Sequence, residues 1–283
     1  MSGLGGRLFV WLQYLLPQHA LSRLTLMATR IRAPWFKNLL IRGFCKLYAV
    51  NMQDAAEPDA LRHASFNEFF TRALKQGARP MPTGPGLIVS PVDGTVSECG
   101  LIRQDLLLQA KNQSYTLELL LANQPWAQEF TGGSFATIYL APYNYHRIHM
   151  PLRGRLRETI YVPGRLFSVN AVTARHVPRL FARNERILSL FDSDAGPMAL
   201  VMVGALNVGS MATVWAGDIT PAKRRAITQL PPTDLSLEAG AELGRFNMGS
   251  TVILLFGPQR AAWIPALTAG LRLKLGQSIG QVL

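Results

Sequence analysis

The apolar residues change their spacing at Arg79-Pro80. Upstream they recur at helical intervals; downstream Gly and Pro become frequent, β-branched residues rise, and short alternating or continuous apolar runs appear. The upstream part contains an apolar run from Leu8 to Leu16 that stops at Pro17, and a second pattern after Pro34. There Asn38, Arg42 and Lys46 fall at i, i+4 and i+8, with Phe36, Leu39, Leu40, Phe44 and Leu47 on the other face of a helix. Ser65 followed by Glu68 reads as a capping box, and Phe66, Phe69, Phe70, Ala73 and Leu74 predict a helix ending at Gly77. The downstream part predicts strands at Leu87 to Ser90, Phe135 to Leu140, Arg155 to Val162, Ile187 to Phe191, Met198 to Val203, Ala212 to Trp215 and Thr251 to Phe256. Val162-Pro163-Gly164 and Asp192 to Pro197 carry turn residues and read as hairpin links. No solenoid-period repeat and no low-complexity linker is visible. The expected architecture is α+β, with a basic helical region (1–80) packed on a single β-rich catalytic domain (81–283).

Charge is as unevenly distributed as periodicity. The chain has a formal net charge of +12, and residues 1–50 carry seven cations, Arg7, Arg23, Arg30, Arg32, Lys37, Arg42 and Lys46, with no carboxylate before Asp54. These cations alternate with bulky apolar residues such as Phe9, Trp11 and Tyr14, unlike the Ser, Gly and Asn of a nucleic-acid-binding arm. The nine-residue run is too short for a membrane span, which needs about 20 residues. An amphipathic helix bearing Trp, Phe, Lys and Arg suits the plane of a membrane interface, where apolar burial and attraction to anionic lipid add. Two plainer readings are that the apolar stripe packs on the protein body, or that the segment is a transit or weak signal peptide. The interruption at Pro17 and the continuation of the pattern to residue 50 favour surface docking over cleavage. Two cysteines, Cys45 and Cys99, support neither a disulfide framework nor a cysteine zinc site, and fit a reducing compartment.

Three short stretches could carry chemistry. Ser90-Pro91-Val92-Asp93-Gly94-Thr95 holds a carboxylate, and by itself reads as an Asp-Gly turn. Tyr145-His146-Arg147-Ile148-His149-Met150-Pro151 holds two histidines. The prolines at 142 and 151 leave no room for a zincin helix and no nearby Glu completes one, so a structural or substrate-facing pair is expected and no metal. Phe246-Asn247-Met248-Gly249-Ser250-Thr251 leads into a strand, where a glycine frees the backbone before a serine. Together they supply a carboxylate, an imidazole and a hydroxyl, and a triad is recognised by roles rather than by chain order. Spacing alone leaves open whether they meet.

These blocks, with Phe66-Asn67-Glu68-Phe69-Phe70-Thr71-Arg72, Gly77-Ala78-Arg79-Pro80, Leu180-Phe181-Ala182-Arg183-Asn184-Glu185-Arg186, Val203-Gly204-Ala205 and Asn207-Val208-Gly209-Ser210, resemble the pyruvoyl-dependent phosphatidylserine decarboxylases of the short bacterial type. The resemblance covers nearly the whole body and least the N-terminus. One departure is Met248, which stands where the family's processing motif has leucine, a swap of similar volume. The resemblance implies decarboxylation of phosphatidylserine to phosphatidylethanolamine through a Schiff base with a pyruvoyl group, the cofactor, made from Ser250 by self-cleavage between Gly249 and Ser250. It implies that Ser250 attacks the Gly249 carbonyl, that His149 takes its proton and that Asp93 orients His149, while His146 handles the substrate carboxylate or the proton returned to it. The fragments 1–249 and 250–283 are expected to stay together as a heterodimer, in a dimer of heterodimers, peripheral on the cytoplasmic face of the inner membrane, with no nucleic-acid partner. The rival readings are an unprocessed serine hydrolase and a non-catalytic basic module that binds membrane or nucleic acid.

Overall fold

The computed structural model describes residues 4–110, 113–206, 210–220 and 226–283. The family block at Asn207-Val208-Gly209 lies outside the described residues. The chain is α+β, with helices leading into a β-rich body. Three helices come first: α1 (Leu4–Leu15), α2 (Gln18–Thr29) and α3 (Pro34–Leu47). Pro17 separates α1 from α2, and Pro34 starts α3, where its missing N–H has no helical partner to lose. No helix among the described residues is long and apolar enough to cross a membrane.

Helix α4 (Phe66–Phe70) is capped as the sequence predicts: the Glu68 N–H donates to Ser65 Oγ at 3.1 Å, and the Ala64 N–H donates to Glu68 Oε2 at 2.9 Å. It stops well short of the predicted Gly77. Thr71 Oγ1 donates to the Asn67 carbonyl, and residues 73–75 turn instead to pair with residues 54–56, through Ala56 N–H to Ala73 O and Lys75 N–H to Asp54 O. Phe66, Phe69 and Phe70 are buried with Ile41 of α3 in a small aromatic core, where Phe44 meets all three rings edge-on at 5.3 to 6.0 Å.

The body is built on antiparallel strands β1 (Leu87–Val89), β2 (Gly94–Leu101), β3 (Ser134–Tyr139), β4 (Arg147–His149), β5 (Gly154–Val162), β6 (Arg186–Ser193), β7 (Gly196–Val203), β8 (Met211–Thr213), β9 (Glu242–Phe246), β10 (Thr251–Phe256), β11 (Ala261–Trp263), β12 (Arg272–Leu273) and β13 (Ser278–Val282). The main sheet runs β5-β6-β7-β10-β3-β2-β12, with short strands added beyond β5. A second sheet holds β8, β9 and β4, and a third holds β1, β13 and β11. Every residue of β10 is buried, which is why its sequence reads as a continuous apolar run rather than an alternation. It pairs along its full length with β7 on one side and β3 on the other, Thr251 facing both Val203 and Tyr139.

All seven predicted strands are present, with shifted ends, and Asp192 to Pro197 is a tight hairpin between β6 and β7. Val162-Pro163-Gly164 is not: β5 and β6 pair, yet residues 163–185 make an excursion carrying two short helices. Gly164 is needed there for close approach, since a Cβ would lie 2.5 Å from the Arg183 carbonyl oxygen. Nor is Asp93-Gly94 a turn. Gly94 begins β2, and a Cβ on it would stand 2.7 Å from both Ile138 Cγ2 and the Tyr139 carbonyl oxygen.

Two buried glutamines fasten the first helices to the excursion. Gln13 Oε1 accepts from the Ser168 N–H at 2.8 Å, and Gln18 Oε1 from the Leu166 N–H at 2.9 Å, while Gln18 Nε2 donates to the Gln13 carbonyl. His19 Nε2 donates to the Gly164 carbonyl at 3.0 Å. Because an orphaned buried N–H costs about 1–3 kcal/mol, Gln18→Ala should loosen this junction locally. Hydrogen exchange should quicken in α2 and residues 164–170 and stay slow in β10; unchanged exchange at the junction would refute the clasp.

Candidate active site

The pairing of β10 fixes where Ser250 sits. Its carbonyl accepts from the Leu140 N–H at 2.8 Å, continuing the ladder one residue before the strand begins. The side chain is fully buried, and its Oγ has no hydrogen-bond partner among the described residues. A buried hydroxyl without a partner is costly; Ser134, Thr137, Ser189, Ser210 and Thr251 hold hydroxyls in the same state, so Ser250 is set apart by its place directly after Gly249.

Gly249 precedes it against the ring of His146. A Cβ at residue 249 would lie 3.2 Å from His146 Nε2 and 3.4 Å from the Leu140 carbonyl oxygen, so glycine gives the imidazole close access to the peptide. His146 Nδ1 lies 2.8 Å from the Asn144 carbonyl. A carbonyl can only accept, so Nδ1 carries the proton and the neutral ring presents the Nε2 lone pair toward Gly249. That Nε2 is also without a partner among the described residues. Phe70 covers the ring, centroid to centroid 4.0 Å. Burial, aided by the nearby Arg72 cation, pushes the His146 pKa down to about 3, so the ring is neutral across the physiological range.

His149 lies on β4 with both nitrogens engaged: Nδ1 donates to the Gly240 carbonyl at 2.7 Å, and Nε2 accepts from Tyr145 Oη at 2.9 Å. Burial lowers its pKa as well. Asp93 is gripped elsewhere. Arg79 donates to both its oxygens, Nε to Oδ1 at 3.0 Å and Nη2 to Oδ2 at 2.6 Å, and the Leu275 N–H adds a bond to Oδ1 at 2.8 Å. The backbone ties the two regions together, the His149 N–H donating to the Pro91 carbonyl at 2.9 Å. The structure thus gathers Gly249, Ser250 and His146, and sets Asp93 and His149 nearby in separate hydrogen-bonded positions.

A cavity of about 240 Å³ opens on Gly249. Met248, Phe70 and Tyr139 line it, Phe44 and Tyr48 close it from the side of α3, and Ser168 and Asn170 of the clasped excursion complete the wall. Met248 packs on the aromatic core, where an apolar side chain of leucine's size is what the site requires. Arg79, Phe70 and Tyr145 are the working residues whose roles the sequence left unassigned. Arg79 reaches Asp54 and Asp93 across 25 and 14 residues of chain, a separation that no local spacing rule covers.

The sequence comparisons agree with one another. A family model described as phosphatidylserine decarboxylase matches residues 66–281, and a second, described as PSD, matches residues 8–49. The N-terminal helices, where the resemblance was weakest, are therefore matched as well. The phosphatidylserine decarboxylase proenzyme of Pseudomonas fluorescens is 53% identical over 279 residues, covering 97% of each chain. That of Pseudomonas putida is 52% identical over 278 residues, covering 96% of this chain and 97% of the relative. That of Ectopseudomonas mendocina is 52% identical over 279 residues, covering 97% and 98%.

The depressed His146 pKa has a consequence for stability. With a folded value of about 3 and an unfolded value of 6.5, the unfolded chain takes up the proton first, so stability falls as pH drops from 6.5 toward 3. In an uncut Ser250→Ala background, urea unfolding should lose about 2 kcal/mol more between pH 7 and pH 5 with His146 present than with His146→Asn. Equal losses in the two chains would show that the ring is not buried neutral.

Proposed function

The chain belongs to the phosphatidylserine decarboxylase family, and on that premise we propose that it cuts itself between Gly249 and Ser250 and uses the resulting pyruvoyl group to decarboxylate phosphatidylserine. The observation that carries this reading is the pair of orphaned polar atoms at this peptide, Ser250 Oγ and the His146 Nε2 that approaches Gly249. The same surroundings fit the group itself: position 250 is sealed from solvent and directly follows Gly249, which lines the cavity. When formed, a pyruvoyl carbonyl supplies an electron sink for an amine-bearing substrate.

In the cut itself, Ser250 Oγ adds to the Gly249 carbonyl and a base takes the hydroxyl proton. The peptide becomes an ester; loss of the Ser250 α-proton eliminates the Gly249 carboxylate and leaves a dehydroalanine, which takes up water and releases ammonia to give the pyruvoyl group. Two assignments of the base remain distinct. The family resemblance gives the role to His149 with Asp93, which requires the His149 ring to leave its present partners. The uncut geometry favours His146, whose free lone pair already faces Gly249. In turnover, His146 is the proposed handler of the substrate carboxylate or of the proton returned to the substrate carbon, the latter only after Nε2 has itself taken up a proton.

The N-terminal helices are the proposed membrane contact. Trp11, Leu12 and Leu15 of α1, Leu24 and Met27 of α2, and Trp35, Leu39 and Leu47 of α3 are all exposed. Arg7, Arg23, Arg32, Arg42 and Lys46 are exposed beside them, whereas Lys37 turns inward to the Leu61 carbonyl and Arg30 pairs with Asp218. Five of the seven cations therefore remain for anionic headgroups, at about 1 kcal/mol for each that comes near the surface. The free cysteines fit a reducing compartment, which supports the cytoplasmic face of the inner membrane as the proposed location.

Denaturing mass spectrometry of the purified protein tests the reading. Two fragments, 1–249 and a 34-residue piece beginning with a pyruvoyl group, are expected. A persistent single chain would contradict it, and Ser250→Ala should give that single chain. If His149 is the base, His149→Ala stays uncut while His146→Ala is cut but does not turn over; if His146 is the base, His146→Ala stays uncut. Replacing Trp11 and Trp35 with Ser should weaken binding to anionic vesicles at least about tenfold, because each buried aromatic contributes about 1.5–3 kcal/mol. Undiminished binding would move the membrane contact elsewhere.

A further inference from the structure

A second cavity, of about 400 Å³, lies on the far side of the His146 loop. Its walls bring together Arg72, Arg79, Arg272 and Lys274 from three separate parts of the chain, against two carboxylates, Asp54 and Asp93. Arg79 holds both carboxylates, at 2.8 Å and 2.6 Å. The other three cations make no ion pair among the described residues.

Arg72 is the most unusual of them. It is 4% exposed and lies over the Phe69 ring at 5.8 Å; among the described residues its Nε has no partner and its one hydrogen bond is a long 3.4 Å contact to the Tyr143 carbonyl. A buried guanidinium with open donors is costly unless an anion completes it. Its desolvation also lowers its pKa. Arg272 and Lys274 flank the buried Leu273, so strand alternation turns both cations to the same side, where they are exposed at the cavity. One carboxylate is satisfied by one arginine fork; three unpaired cations converging from two distant parts of the chain suit an anion with more oxygens.

We propose that this cavity binds a phosphate group, with Arg72 as the buried donor and Arg272 and Lys274 as the outer pair. The phosphate is carried by a lipid headgroup or by free phosphate, and the headgroup source rests on the decarboxylase reading above. The position suits the former. Asn144, whose carbonyl holds His146 Nδ1, lines the cavity, so a phosphate bound there would lie one loop away from the ring that faces Gly249.

Isothermal titration of the full-length protein with glycerophosphoserine and with inorganic phosphate, at matched low ionic strength, tests the proposal. Wild type and the control Arg153→Ala, an exposed arginine paired with Asp194 outside the cavity, should bind saturably. The exposed pair changed together, Arg272→Ala with Lys274→Ala, should bind at least about tenfold more weakly, a loss of about 1.4 kcal/mol. Saturation by glycerophosphoserine supports the site and assigns it to the headgroup; saturation by inorganic phosphate alone supports it and assigns it to free phosphate. No saturable binding of either, or equal binding by the double variant, overturns it. Fragment masses from the same samples judge the decarboxylase reading separately, since an uncut chain that still binds phosphate contradicts that reading and leaves this one standing.

Discussion

Strand β10 is held by neighbours on both sides, and the ladder reaches one residue beyond it to the carbonyl of Ser250. That constraint decides the geometry of everything around the scissile peptide. The Ser250 carbonyl committed to Leu140 anchors the serine that follows the scissile bond, so Ser250 is held at the end of the ladder. Placement of this kind is what converts an unreactive amide into a candidate for attack by its neighbour. It also explains why the residue before the serine carries no side chain: the space a Cβ would need belongs to His146.

The surroundings of the site follow from burial. A hydroxyl and an imidazole Nε2 without partners are tolerated because the aromatic core of α3 and α4 and the paired strands hold the backbone in place around them. The same packing keeps His146 neutral, with its Nε2 lone pair open toward Gly249. Helix α3 shares that core and also exposes Trp35, Leu39 and Leu47, so one element spans the distance from the proposed lipid surface to the ring stacked on His146. The glutamine clasp gives α1 and α2 a comparable connection to the cavity wall at Ser168.

Much of this was legible in the sequence, and the reasons differ by element. The apolar run at Thr251 to Phe256 announced a strand, and the Ser65 and Glu68 spacing announced the start of α4. The end of α4 was illegible because Ala73 and Lys75 are recruited by residues 54–56, a pairing that helical periodicity cannot foresee. Gly94 and Gly164 looked like turn residues, yet each is glycine because another stretch of backbone passes against it. At the site, the motifs named Asp93, His146, His149, Gly249 and Ser250. They did not show that Arg79 would occupy Asp93, nor that His149 would spend both nitrogens on Tyr145 and Gly240, since those partners come from distant parts of the chain.

A cut after Gly249 would leave β10 in the middle of the main sheet, β12 at one of its edges and β13 in the middle of another, all on the shorter piece. Nothing in such an interwoven fold lets that piece leave while the rest stays folded. Once unfolded, however, the two pieces would have to find each other through solution, so recovery would depend on concentration where the parent chain's did not. The processed protein would thus be assembled through a connection it no longer possesses, and its persistence would be governed by the rate of opening rather than by an equilibrium it can revisit.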